Sequence, residues 1–284
     1  TDFMAAHIEP KVGERVADFA CGTGGFLVSW IQQLQAHEQT ATTVEAIGRS
    51  TYGIEKKQFP YMLAITNMLL HGIDAPHIVH ANALTKHVLD YTDADAFDKI
   101  LMNPPYGGHE KADVQRYFPD DLRGSETADL FLVLILYRLR QGGRAAVVLP
   151  DGFLFGNDNT KVNIKKKLLT ECNLHTVIRL PASVFAPYTS ITTNLLFFDK
   201  TGPTRETWFY RLDMPDGYKH FSKTKPMQRA HFAPCDAWWT HREVLPDADV
   251  PGAYKANVYT RGQIESGGWN LDLCGYPTVE EDIL

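Results

Sequence analysis

The sequence predicts an α/β protein, a doubly wound and mostly parallel sheet of seven strands with helices on both faces. Three observations predict it. Short apolar runs alternate with segments of helical periodicity over about the first 200 residues. A glycine cluster sits where the first run gives way to the first helix. Polar or acidic residues stand at the ends of successive runs, where open α/β sheets bind their ligands.

Arg15 to Ala20 reads as the first strand and Phe26 to Gln35 as the helix after it. Tyr52 to Glu55 is a second short strand, and Phe59 to Leu70 carries apolar residues at helical spacing. His77 to His80 and Phe97 to Met102 are further strands, the latter stopped by Asn103-Pro104-Pro105. Ala128 to Leu139 is a strongly apolar helix, Arg144 to Leu149 a strand introduced by Gly142-Gly143, and Val162 to Leu169 a basic helix. Thr176 to Leu180 and Asn194 to Phe198 complete the strands. Residues 36–51 and 107–127 read as long loops, which in a compact domain tend to be functional or mobile. After Lys200 the pattern changes. Thr207 to Asp213 fits one more strand, and the rest is rich in Pro, Trp and charge without a clear period. The expected division is a catalytic domain over 1–213 and a small irregular extension over 214–284, a candidate region for partner or DNA contact.

Composition narrows the class. Hydrophobic residues make up 44% of the 284, enough for a substantial core. No apolar run approaches the ~18–20 residues that span a bilayer, so no membrane partner is expected. The N-terminus has neither a basic start nor an apolar signal core, and the chain opens on Thr1 rather than Met, which reads as a fragment of a longer protein. Cys21, Cys172, Cys235 and Cys274 form no C-x-x-C pair and read as buried thiols in a reducing cytoplasm. His71, His77, His80 and His87 match no metal-ligand spacing, so no metal is expected. The net charge of −6 argues against a protein that grips DNA alone. Two basic runs remain as local phosphate contacts or solvated faces: Lys161, Lys165, Lys166 and Lys167, and Lys219, Lys223, Lys225 and Arg229.

The first candidate site is the turn after the first strand: Asp18, Ala20, Cys21, Gly22, Thr23, Gly24, Gly25 and Phe26. Glycines there let a backbone approach a ligand. The spacing is not the dinucleotide G-x-G-x-x-G, and no G-K-S/T follows, so a phosphate cradle is not indicated. Asp18 suits a cationic amino-acid moiety, directly or through water. Glu55, at the end of the second strand, suits a ribose diol. Asn82, with Ala83 beside it after the third strand, suits the edge of an adenine ring. Together they describe a site for S-adenosylmethionine.

The second candidate site is Asn103-Pro104-Pro105-Tyr106. The lone pair of an aromatic amine is delocalised into its ring, so it attacks a sulfonium methyl poorly. Acceptors for its two N–H bonds draw the nitrogen toward tetrahedral geometry. The Asn103 side-chain oxygen and the Pro104 carbonyl are those acceptors, and proline pre-sets both by fixing the local backbone. Holding nucleophile and methyl in line is then most of the catalysis. Tyr106 offers a flat face for an extruded base, a contact worth ~1–3 kcal/mol.

DFACGTGGFL from Asp18 and LMNPPYGG from Leu101 resemble the motifs of the modification subunit of type I restriction-modification systems. GGRAAVVLPDGFLFG from Gly142, VIRLPASVFAPYTSITTNLLFFDK from Val177 and WNLDL from Trp269 extend the resemblance over nearly the whole chain. It implies a class I Rossmann-like N6-adenine DNA methyltransferase, with S-adenosylmethionine as cofactor and an extruded adenine in double-stranded DNA as substrate. It implies as partners a specificity subunit, a restriction subunit and a second modification subunit. Glu55 would hold the cofactor ribose and Asn82 its adenine, although the family often has Asp at that position. Phe185 would be the second aromatic wall for the base, with a core Phe as the alternative. The family's threonine-proline motif and upstream helical domain are not in this sequence, so partial competence is expected. Asn-Pro-Pro-Tyr also occurs in protein-glutamine and RNA methyltransferases, and a cofactor-binding subunit without turnover is a further alternative.

Overall fold

The computed structural model describes residues 1–36, 40–186 and 188–275. Ten strands lie among them: β1 (Val16–Asp18), β2 (Thr51–Glu55), β3 (His77–His80), β4 (Phe97–Met102), β5 (Leu139–Pro150), β6 (Asn173–Arg179), β7 (Thr193–Asp199), β8 (Glu206–Arg211), β9 (Leu245–Pro246) and β10 (Tyr254–Thr260). They form one sheet in the order β3-β2-β1-β4-β5-β7-β6-β8-β10-β9. β1 to β5 run parallel, and β7 is inserted antiparallel between β5 and β6. The first seven strands are the doubly wound arrangement expected from the sequence. The sheet nevertheless has ten strands rather than seven. β8 joins β6 in parallel, β10 joins β8 antiparallel, and β9 joins β10. The segment after residue 213 therefore supplies two strands to the main sheet.

The helices are α1 (Asp2–His7), α2 (Gly25–Gln35), α3 (Ala41–Ser50), α4 (Gln58–Leu70), α5 (Ala112–Gln115), α6 (Thr127–Arg138), α7 (Asp151–Phe155), α8 (Asn159–Glu171), α9 (Ala233–Thr240) and α10 (Arg261–Ser266). α1 to α4 and α9 bury side chains on one face of the sheet, and α6 to α8 and α10 on the other. Strand β5 shows why its second half, 145–149, is apolar throughout. Ala145, Val147 and Leu149 enter one core, while Ala146 and Val148 enter the other. α6 is buried along nearly its whole length because it lies between the sheet and α8.

Three expectations change. Residues 41–50 form α3 rather than loop. Threonines depress helix propensity, but the Thr40 hydroxyl caps the Thr43 amide at 3.2 Å, and Thr43, Ile47 and Ser50 share a buried face. The 107–127 segment folds back on itself: His109 bridges Glu126, Glu110 N–H donates to Ser125 O at 2.8 Å, and α5 fills the tip. The first basic run is largely interior. Lys161 is 7% exposed and pairs with Asp129 at 2.9 Å, and Lys165 is fully buried against the carbonyls of Leu154 and Gly156. Burial pushes the Lys165 ammonium down to about 8. These two lysines are structural and do not face a phosphate.

The chain builds outward from β1 through β2 to β3, then returns to place β4 on the other side of β1. Connections on either side of that reversal diverge and leave a crevice beyond the carboxyl ends of β1 and β4. Both sequence motifs lie there.

Candidate active site

β1 ends at Asp18, and the chain turns through 19–24 into α2. Gly22 and Gly24 take positive φ, 56° and 83°, which lets the turn fold tightly enough to start α2 at Gly25. The turn is clamped from two sides. Ala20 N–H donates to Asp18 Oδ1 at 3.1 Å, and Gly22 N–H donates to Glu55 Oε2 at 2.9 Å. Glu55 also accepts from Lys57 N–H through Oε1 at 2.7 Å. Each carboxylate oxygen of Glu55 thus keeps a lone pair for a ligand. Asn82 Oδ1 caps Leu84 N–H at 3.1 Å, which fixes the amide.

These residues line one cavity of about 650 Å³, walled by Ala20, Gly22, Glu55, Asn82, Ala83 and Asn103. Asp18 is not on that wall. It lies beneath the turn at 2% exposure, and burial pushes its carboxyl up to about 8, with the nearby Glu55 charge adding to the rise. Cys21, Thr23, Gly24 and Gly25 shape the turn without lining the space. Residues 108–110, on the loop after Tyr106, complete the outer wall, with Phe19 and Phe131 from the core side. Sequence reading missed Phe19, Phe131 and Lys56. Phe19 and Lys56 sit next to residues it did single out, which is the signal that was there. Phe131 lies one helical turn from Thr127, and only the packing of α6 reveals it.

A second cavity of about 310 Å³ lies on the other side of Asn103. Its walls are mainly apolar: Phe26, Val184, Phe185, Leu195, Met227 and Phe232. Among the residues lining the two cavities, Asn103 alone is common to both. Tyr106 stands beside it. Its hydroxyl donates to Asn103 Oδ1, burial pushes its phenol upward, and its ring centre is 6.2 Å from that of Phe185 at 60°. The structure brings Asn103, Tyr106 and Phe185 together although 79 residues separate Tyr106 from Phe185. Pro104 is buried and Pro105 lines the larger cavity. No group of metal-ligating side chains lies among the described residues.

A sequence profile for N-6 DNA Methylase matches residues 1–282. The chain belongs to the N-6 DNA methylase family. Among its relatives, the EcoEI type I restriction enzyme methylase subunit of Escherichia coli is 49% identical over 84% of this chain and 49% of its own length. A solved modification subunit assigned to a type I restriction enzyme of Vibrio vulnificus is 42% identical, with a TM-score of 0.85 over 93% of this chain and 54% of that one. A chain from a solved type I R-M assembly is 34% identical, with a TM-score of 0.87 over 99% of this chain and 58% of that one. The chain spans about half the length of the relatives it matches. The N-6 DNA methylase match extends past Tyr106 through the β6–β7 turn and the added strands, so the ten-stranded sheet is covered by it.

Proposed function

We propose that the chain transfers the methyl group of S-adenosylmethionine to the exocyclic N6 of an adenine extruded from double-stranded DNA. The observation that carries this is the placement of Asn103 as the wall common to a polar cavity and an apolar one. In this reading the larger cavity takes the nucleoside part of the cofactor, which supplies an electrophilic methyl when bound. The free lone pairs of Glu55 accept from the ribose hydroxyls, and Asn82 and Ala83 border the adenine. Residues 108–110 and Phe131 restrict water. The apolar chamber takes the target base between Tyr106 and Phe185. Tyr106 occupies one lone pair of Asn103 Oδ1, and the second lone pair is there to accept the amine N–H. The Pro104 carbonyl accepts the second. No strong base is needed, because the amine becomes acidic only as the new N–C bond forms. Asp18 sets the turn from below and favours a cationic ligand when ionised.

The relatives named above are subunits of type I restriction enzymes. We therefore propose that the chain acts in the cytoplasm within such an assembly, beside a specificity subunit, a restriction subunit and a second modification subunit. Segment 1–213 carries the cofactor site and Asn103 in this reading, and 214–284 adds Met227 and Phe232 to the base chamber and extends the DNA- or partner-facing side. Among the described residues no helix is long and apolar enough to cross a membrane. The test is a labelled-methyl assay with the protein and its specificity subunit, offering unmethylated DNA, RNA and total protein together. Label at adenine N6 in DNA is the expected outcome. Label confined to protein or RNA would sink the reading.

A further inference from the structure

The turn that carries Phe185 has two sides, and only one faces the apolar chamber. Tyr188 N–H donates to Phe185 O at 2.9 Å, a closed turn that keeps the two Cα atoms within about 7 Å. Ser183, on the same turn, accepts from Phe221 N–H at 2.8 Å, and Phe221 is buried. The inner side is therefore pinned. Tyr188 does not line that chamber and is 88% exposed, more than any other large hydrophobic side chain among the described residues. An exposed Tyr ring offers a flat face on which a base can stack, with its hydroxyl left to water. Two further exposed apolar side chains belong to the segments that meet there: Ile191, three residues on, and Phe155 at the end of α7. α7 is tied to this loop where Asp151 N–H donates to Thr192 O at 3.1 Å.

The charge beside this rim is basic. Residues 214–229 carry three Lys and one Arg against one Asp, in a chain whose net charge is −6. Phe221 anchors that run to the Phe185 turn, and Lys219 and Lys223 on either side of it are exposed. An exposed flat ring on a turn that is hydrogen-bonded to a basic segment matches a stacked, phosphate-flanked surface rather than a protein core.

We propose that Tyr188 enters the DNA stack at the place the extruded base leaves, with Lys219 and Lys223 on the flanking phosphates. This rests on the reading of the chain as a DNA adenine methyltransferase. The physical need is general: extrusion opens a gap whose unstacking costs a few kcal/mol, and an inserted side chain offsets part of that cost. Phe185 and Tyr188, on one turn, then divide the work. Phe185 holds the base outside the helix, and Tyr188 holds the helix against its return.

The experiment is single-turnover methyl transfer by the protein assembled with its specificity subunit, comparing the unsubstituted chain with Tyr188→Ala and Tyr188→Trp. Two duplexes are used, one with the target adenine paired and one with an abasic site opposite it. Tyr188→Ala is expected to slow transfer by about 10- to 100-fold on the paired duplex. It is expected to approach the unsubstituted rate on the abasic one, where the base is already unpaired. Tyr188→Trp retains transfer on both. An unchanged rate for Tyr188→Ala on the paired duplex, or an equal loss on both duplexes, would overturn the proposal. Absence of transfer to either duplex by the unsubstituted assembly would overturn the underlying reading as well.

Discussion

The two cavities that meet at Asn103 are built by different means. The larger one rests on strand ends and backbone hydrogen bonds: Glu55 alone fixes Gly22 and Lys57, and Asn82 fixes Leu84. The smaller one is assembled from side chains of seven separate stretches of chain, including α1, the Phe185 turn and residues 226–232. A wall held by backbone amides has little freedom to repack. A wall of Met, Val and Phe side chains on turns can adapt. The contrast suits a cofactor that is always the same and a base that must be admitted and released.

The comparison breaks most readily at the residue both cavities share. Asn103→Ala is expected to lower methyl transfer by at least ~10²–10³-fold, the scale for removing one positioned polar group from a reacting centre. Calorimetry with the cofactor should show little change. A large loss of cofactor affinity with transfer intact would exchange the roles of the two sites. Next in size is Glu55→Ala. It removes a charged acceptor and leaves two backbone amides without partners, so cofactor affinity should fall ~10- to 100-fold. The rate at saturating cofactor should move far less.

Phe185→Ala sharpens the other side. It should weaken capture of the base by up to ~1–3 kcal/mol, seen with 2-aminopurine at the target position, and leave cofactor titrations unchanged. A last test concerns stability and pH rather than either cavity's ligand. Asp18 is protonated more readily in the folded chain than in the unfolded one, with its carboxyl raised to about 8. Its contribution to stability is therefore fully present below the ordinary carboxylate range and is lost as pH rises through about 8. Thermal unfolding without cofactor should show a melting temperature that declines across that window, and Asp18→Asn should flatten the decline. A flat profile for the unsubstituted chain would mean that Asp18 is better solvated than its burial implies.

Much of this was legible in the residues. β4 and β5 are buried on both faces, so their sequences read as continuous apolar runs, and the motifs at the ends of β1 and β4 follow from where such sheets bind ligands. What stayed hidden has physical causes. α3 is rich in threonine, and its buried face shows only once Thr43, Ile47 and Ser50 are seen on one side. β9 is two residues long and includes Pro246, and β10 is half-buried along most of its length with only Ala256 fully buried, so neither gives a strong run. The acid at Asp18 was visible, but an acid at a strand end can point into the crevice or under the turn, and only packing decides. The apolar chamber was the least legible part. Tyr106 could be named from its motif and Phe185 from the family resemblance, whereas Met227 and Phe232 belong to a segment with no period.

The single-residue partition at Asn103 has a consequence for traffic. On the proposed reading, cofactor and base occupy separate cavities that share one side chain, so neither would block the other's exit. Spent cofactor would then be replaced while the duplex stays engaged, and the residence time on DNA would be uncoupled from the time needed to reload. One encounter with a DNA molecule can then outlast several rounds of chemistry.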